Sequence, residues 1–383
     1  MNILIIHNYY SVQGGEESVV AFQKKLLESK GHNVLVYSRD YHEMKQWKWG
    51  KIGGLITSIY NRKSINDINR ILDDFNPEIA LTHNLFPIIS PAIIPFLKKK
   101  GVRVYQVVHN YRLFCPIGIF YNKHRICHKC LQAGREWNCL FHKCNQSIAA
   151  SFSYACRAYF VRKLHYFKSV SKFIVLSDFQ KQILIENGYH NIPIEVIPNS
   201  IPDKISLKNS VNDLNSKKYI GFIGRLTEEK GLLEFIKLAE MMPELEFRIA
   251  GNQNNVQIKN IPSNIFFEGF LAPDEIDQYY KNAKLIIVPS KWLEVFGLVL
   301  IEAFSNYTPV IASKVGGMID IIQHEENGYL VEVGDIESMK KYIIDIFEND
   351  KQYASMCDNA FYSYKSKYSS ERYYERLMLA ISD

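Results

Sequence analysis

One grammar runs through this chain twice: short runs of β-branched and apolar residues alternate with helical segments, and that repetition restricts the fold more than any other feature. In the first half the runs are Asn2–Ile6, Asn33–Tyr37, Ile79–Thr82 and Val102–Val108, with helices expected from about Glu16 to Lys30, near Ser90–Lys100 and over Ser147–Lys168. In the second half, strands at Tyr219–Ile223, Glu246–Ala250, Ile265–Glu268, Leu285–Val288 and Pro309–Ala312 are separated by helices beginning near Gly231, Pro273 and Gly297. Strands that alternate with helices form parallel sheets covered on both faces. The predicted class is therefore α/β, with two Rossmann-like, doubly wound parallel-sheet domains. A chain of 383 residues with 47% apolar side chains has enough material for two cores. The segment Pro193–Pro202, followed by a polar stretch to Lys218, is the expected linker, which places an N-terminal domain at 1–200 and a C-terminal one at 201–367. Residues 368–383 read as a Ser-capped amphipathic helix. Doubly wound sheets bind ligands beyond the carboxyl ends of their strands, so two such domains facing across a cleft are expected to place the chemistry there.

Composition narrows the cellular setting. With 22% charged residues and no biased tract, neither a disordered region nor a sequence repeat is expected. The start MNILIIHNYY carries no basic leader, and no stretch approaches the ~20 apolar residues of a membrane-spanning helix, so the expected location is cytoplasmic, where seven cysteines imply no disulfide framework. The net charge of +6 is unevenly spread: residues 1–200 hold 26 Lys and Arg against 13 Asp and Glu, a balance of +13, whereas residues 201–383 hold 20 against 27, a balance of −7. A basic half next to an acidic one points to an anionic partner for the first. Lys45 to Lys63 mixes tryptophan with cations, and Lys98, Lys99, Lys100, Arg157, Arg162, Lys163 and Lys168 add charge, so the inner face of an anionic membrane is the expected surface. A zinc-bearing nucleic-acid module is a rival reading, but no aromatic-and-basic recognition motif supports it, and no nucleic acid is expected as a partner.

Three loops after predicted strands carry chemistry. Gln13-Gly14-Gly15-Glu16-Glu17-Ser18 is a flexible turn opening a helix, where free N–H groups and the helix dipole favour a phosphate, although two glycines before a helix are commonly only a tight turn. GRLTEEKG, residues 224–231, sets Arg225 and Lys230 five apart across a turn, a spacing that can clamp a diphosphate between a guanidinium and an ammonium; Lys230 paired with Glu228 or Glu229 is the plainer alternative. PSKWLEVFGLVLIEA, residues 289–303, places two glutamates eight apart, which on one continuous helix would turn them roughly 80° from each other and separate them by about 12 Å. If the helix begins near Phe296-Gly297, Glu294 lies in the loop before it and Glu302 projects from its second turn, and both can reach one extended ligand. Ionised carboxylates only accept hydrogen bonds, which suits ribose or sugar hydroxyls, while the amides of Phe296, Gly297 and Leu298 suit a phosphate.

These loops, with the downstream PVIASKVGGMIDIIQHEENGYLVEVGD, resemble the retaining glycosyltransferases of family 4, whose fold is called GT-B, over most of the second half. The resemblance implies that Arg225 and Lys230 hold the donor diphosphate, Glu302 the ribose hydroxyls and Glu294 hydroxyls of the donor sugar. It also implies that the first domain is the acceptor side and the second binds the nucleotide sugar, that the Gly14-Gly15 loop closes over the phosphates and that the last helix packs back on the first domain. Val295 stands where the family commonly has proline, and Asn306-Tyr307 replaces a small glycine-containing turn, departures that bear on sugar specificity. A lone histidine at a strand end, as in His109-Asn110-Tyr111-Arg112, is ordinarily structural; the family often places a histidine here next to the donor sugar, so His109 is expected as a positioning group and Arg112 as a phosphate contact.

Between this loop and the next helix, five of the seven cysteines fall within thirty residues. A C-x2-C pair with further thiols has structural-zinc spacing, and Cys115, Cys127, Cys130 and Cys144 form the expected tetrahedral set, with Cys139 or His142 as substitutes and free buried thiols as the alternative. Some family members look similar over this insert, 115–144. The expected activity is retaining transfer from a UDP- or GDP-sugar to a glycan or polyprenyl-diphosphate-linked acceptor of a bacterial capsule or lipopolysaccharide, without catalytic metal or organic cofactor. A sugar-nucleotide epimerase on the same fold is the alternative, distinguished by an epimer forming without nucleoside diphosphate release.

Overall fold

The computed structural model describes residues 1–10, 14–46, 50–132, 134–145, 147–203, 217–252 and 260–382. Gln13, the Trp47–Trp49 segment and most of the polar stretch after Pro202 lie outside the described residues. The chain divides into two compact units: Met1–Phe120, Cys127–Asn199 and Tyr373–Asp383 make the first, and Tyr121–Ile126 with Ser200–Arg372 make the second.

The strands of the first unit are β1 (Asn2–Tyr9), β2 (Asn33–Asp40), β3 (Ile79–Thr82) and β4 (Arg103–Val107); a hairpin of β5 (Tyr121–Asn122) and β6 (Arg125–Ile126) belongs to the second unit, and β7 (Lys172–Val175) and β8 (Ile194–Val196) return to the first. They form a six-stranded sheet in the order β2-β1-β3-β4-β7-β8, parallel throughout. Ile3 to Ile6 and Ile79 to Leu81 are fully buried, as strands covered on both faces must be. Helix Gly15–Ser29 follows β1, and Ser147 caps helix Ile148–Lys163 through the amide of Ala150. The last helix, Ser370–Ser382, joins this unit from Tyr373 onward. Its attachment is specific: Gln23 donates to the Tyr373 hydroxyl at 2.6 Å, Lys172 to the Ala380 carbonyl at 2.7 Å and the Tyr105 hydroxyl to the Ile381 carbonyl at 3.2 Å.

The second unit contains β9 (Tyr219–Ile223), β10 (Glu246–Ala250), β11 (Ile265–Gly269), β12 (Ala283–Val288), β13 (Val310–Ser313) and β14 (Gly328–Val331), a six-stranded parallel sheet in the order β11-β10-β9-β12-β13-β14. Its core is built from Phe235, Phe247, Leu285, Ile311, Tyr329, Ile343 and Tyr353. Two sheets of one design, each with its crossover helices, match the expected α/β class. In both, the order reverses next to the first strand, the switch point at which doubly wound sheets bind ligands.

Candidate functional site

In the second unit, the loops after β9 and β12 are fastened together by glycine contacts that no larger residue permits. Gly231 sits at φ +79°, and a Cβ there would lie 1.9 Å from the carbonyl oxygen of Pro289. Gly316, at φ +59°, would place a Cβ 2.2 Å from the carbonyl oxygen of Glu294, which accepts the amide of Gly317 at 2.7 Å. Lys291 adds a backbone bond to the Glu229 carbonyl at 2.8 Å. The GRLTEEKG and PSKWLEVFG segments and the downstream Gly-Gly turn are thus one rigid assembly.

The helix after β12 runs Leu298–Ser305, with Gly297 at φ 107° as its cap. Glu294 therefore lies in the loop before it and Glu302 on the helix. Phe296 is buried and packs its ring on Tyr368. Glu294 is buried, and its Oε1 accepts from Lys230 at 2.6 Å, Ser290 at 2.7 Å and the Trp292 indole at 2.8 Å. Burial works against its charge, but the Lys230 ammonium and these hydrogen bonds outweigh it and hold the carboxyl below the usual range. Glu302 accepts from the Tyr280 hydroxyl at 2.7 Å. Arg225 is exposed, 3.6 Å from Glu229. Lys230 and Glu294, expected on different parts of a donor, bond to each other here. The same ammonium lies 5.0 Å from the Trp292 ring centre.

Sequence reasoning missed the role of Glu228. It meets Lys291 at 3.5 Å, the Tyr121 hydroxyl at 3.3 Å, and His124. Tyr121 and His124 come from the β5–β6 hairpin, whose turn residues Lys123 and His124 both adopt positive φ. The one signal was a short Asn-Lys-His turn, too weak to announce a hairpin.

In the first unit, His109 sits at the end of a chain of hydrogen bonds. Gln23 bridges the Tyr373 hydroxyl and His83 Nε2 (2.9 Å), and His83 Nδ1 meets His109 Nε2 at 2.7 Å with the rings stacked. Burial lowers His109 to about 3, with His7 adding to the effect, and lowers His7 to about 4. Burial, then His109 and His7, hold His83 well below its usual value. All three are neutral at pH 7. With the Gln23 oxygen facing His83, His83 donates through Nε2 and accepts at Nδ1, so His109 carries its proton on Nε2 and offers Nδ1 as an acceptor. His83 and Gln23 were not identified from sequence.

The Gly14-Gly15 turn differs from a bare phosphate cradle. The Gly14 amide donates to Glu17 at 2.7 Å and the Tyr10 amide to the same carboxyl at 3.2 Å, so Glu17 caps the helix start.

The cysteines of the expected zinc set lie in the first unit. Cys115 and Cys130 are buried, Cys127 and Cys144 half-buried, and none of the four is in a disulfide. Among the described residues, no group of three or more His, Cys, Asp or Glu is arranged to hold a metal ion. Cys130 and Cys139 pack instead with Ala155, Ile117, Trp137, Cys144 and Tyr154. Burial, then the neighbouring sulfurs, push Cys130 up to about 12; a hydrogen bond with Cys144, then burial, raise Cys139 further.

Two parallel-sheet units, with a cation and carboxylate assembly at the strand ends of the second, define a glycosyltransferase of the GT-B architecture. A profile described as Glycosyltransferase Family 4 matches residues 13–204, and one described as Glycosyl transferases group 1 matches residues 203–362. The chain belongs to Glycosyltransferase Family 4. An uncharacterized 42.6 kDa protein in the cps region of Klebsiella pneumoniae is 28% identical over 92% of this chain and 95% of its own length. A GDP-mannose-dependent alpha-mannosyltransferase of Corynebacterium glutamicum is 27% identical over 43% of this chain but only 39% of that protein. Anabaena HepE, solved in complex with UDP, shares 16% identity and superposes with a TM-score of 0.68 over the whole of both chains. These findings give the epimerase alternative no support.

Proposed function

We propose that the chain is a retaining, metal-independent transferase that moves a sugar from a UDP- or GDP-sugar to a glycan or polyprenyl-diphosphate-linked acceptor in bacterial surface-polysaccharide synthesis. One observation carries this reading: Lys230 lies 2.6 Å from the buried Glu294, with Arg225 on the same loop. A donor diphosphate competes for the ammonium, and the carboxylate it leaves, held in its charged form, accepts hydroxyls of the sugar. Glu302 takes the ribose hydroxyls. The bond from the anomeric carbon to the β-phosphate oxygen breaks as the acceptor oxygen bonds on the same face, and the acceptor proton passes to the departing phosphate. Lys230 and Arg225 stabilise the charge that develops on the diphosphate. The cps-region relative supports the polysaccharide setting, and the UDP complex and the GDP-mannose-dependent relative support the two donor classes.

Thermal shift against UDP, GDP, ADP and their sugar conjugates tests the donor site. The expected result is a shift with one nucleotide class that Arg225→Ala and Glu302→Ala abolish; no shift with any of them removes the reading. The anomeric configuration of the product then tests retention.

An anionic membrane is the proposed working surface. Phe141, Ile148, Phe152, Phe160 and Leu164 of the first unit are exposed, next in sequence to the cations Arg162, Lys163 and Lys168, within the half whose charge balance is +13. Among the described residues no helix is long and apolar enough to cross a membrane. Co-sedimentation with phosphatidylglycerol vesicles at low salt, weakened by added salt, is expected; no binding at low salt removes this surface from the proposal.

A further inference from the structure

The cation and carboxylate assembly of the second unit carries more negative than positive charge. Among the described residues, its ion pairs set Glu228, Glu229, Glu234 and Glu294 against only Arg225, Lys230 and Lys291. Lys230 is taken by Glu294, Arg225 lies 3.6 Å from Glu229, and Lys291 is nearer to Glu234, at 3.1 Å, than to Glu228, at 3.5 Å. Glu228 is therefore the carboxylate in excess, and it stands between Arg225 and Lys230 in the same loop. Left free at that place, it would pair with the cations that a diphosphate needs and would repel the diphosphate itself.

A hairpin takes up the excess. The chain leaves the first unit after Phe120, forms β5 and β6 as part of the second, and re-enters the first at Cys127. The Cys127 amide donates to the Phe120 carbonyl at 2.7 Å and closes the base, above which Tyr121 pairs with Ile126 and Asn122 with Arg125. Lys123 and His124 turn the chain at φ 50° and 65°, values that a two-residue hairpin demands and that side chains of their kind rarely adopt. This turn delivers His124, whose Nδ1 donates to Glu228 Oε1; the Tyr121 hydroxyl donates to the same oxygen at 3.3 Å. Burial, then the Glu228 charge, raise the Tyr121 hydroxyl, so it stays protonated as a donor. Burial works against the charge of Glu228, but the His124 hydrogen bond and Lys291 outweigh it and hold the carboxyl below its usual range.

We propose that Tyr121 and His124 are positioning residues for the donor diphosphate: by holding the Glu228 carboxylate, they keep it from competing with phosphate for Arg225 and Lys230. The inference rests on the transferase reading and adds to it an element that lies outside the loops after β9 and β12. Arg225 is the cation that gains most. It is exposed, its pairing with Glu229 is long, and Glu228 follows it by three residues, a spacing at which side chains meet across a helical turn. The hairpin thus sets donor affinity without touching the donor.

Calorimetric titration of the whole chain with UDP and with GDP is the test, and the nucleotide that the wild type binds is used for every variant. His124→Leu is expected to raise Kd about 5-fold and Tyr121→Phe about 2-fold, the range of exposed ion pairs and hydrogen bonds. His124→Asn keeps a donor near the place of Nδ1 and is expected to bind like the wild type. Glu228→Gln added to His124→Leu is expected to restore the wild-type Kd, because no free carboxylate remains to compete. A hairpin that only maintains the fold gives the opposite result, since removal of a second contact leaves the loss in place or deepens it. A wild-type Kd in His124→Leu, or a loss that Glu228→Gln does not relieve, overturns the assignment while the donor site stands. A wild-type chain that binds neither UDP nor GDP overturns the donor site itself, and the assignment with it.

Discussion

The two units solve the problem of buried charge in opposite ways. In the second unit, Glu294 gathers three donors on a single oxygen and Lys230 is one of them, so the assembly is complete in itself and a ligand must exchange partners with it. In the first, Glu16 and Arg112 are held in place yet each keeps a buried atom without a partner. The contrast teaches that unmet groups mark where a ligand adds contacts, whereas a self-satisfied pair marks where a ligand replaces them.

The largest effect is expected where the assembly has no room to relax. Gly231→Val adds positive-φ strain to a clash with the Pro289 carbonyl and should cost roughly 4 kcal/mol, read as faster hydrogen exchange across β9 and β12. A wild-type exchange pattern would show that the loops are not fastened as described. Lys230→Ala leaves Glu294 buried without its cation and should lower stability by roughly 3 kcal/mol, with recovery in the double variant that adds Glu294→Gln. If the single variant melts like the wild type, the pair is not the self-satisfied one described here.

Glu16 tests the other side of the contrast. Its folded carboxyl is raised from 4.5 to about 7, so the stability it contributes is fully present below about 4.5 and is lost as pH rises through 7. Glu16→Gln should therefore match the wild type at pH 4 and exceed it at pH 8 by on the order of 2 kcal/mol in thermal unfolding. A difference constant with pH would mean that the carboxyl is not buried. The smallest effect concerns the imidazole relay: Gln23→Leu should cost about 1 kcal/mol and let His109 sample both tautomers, visible in nitrogen NMR of the ring.

Sequence made the second unit legible and the first only partly so. Glu294, Glu302, Arg225 and Lys230 fall in contiguous motifs whose turns and helix start are local, so their placement followed from spacing. Glu16 was legible only as part of the turn that opens the first helix, because its burial is a tertiary fact that involves Tyr10 and Arg112, the latter distant in sequence. His83 gave no signal, since its partners come from three other elements. The strands β7, β8 and β14 were absent from the expectation; β8 is three half-buried or exposed residues, and β14 starts at Gly328, where a Cβ would lie 2.3 Å from the Val310 carbonyl. The cysteine insert was legible as a cluster from its C-x2-C spacing, but not the packing of Cys130 and Cys139 against Ala155, which depends on the fold.

The bond between Gln23 and Tyr373 joins residues 350 positions apart. On the ribosome, the first sheet emerges roughly 10 to 35 seconds before the helix that closes it, at typical rates of synthesis. Until then Gln23 lacks that partner and Phe22 lacks the ring it packs against. Until that helix is made, the nascent first unit lacks the hydroxyl that fixes the Gln23 amide facing His83.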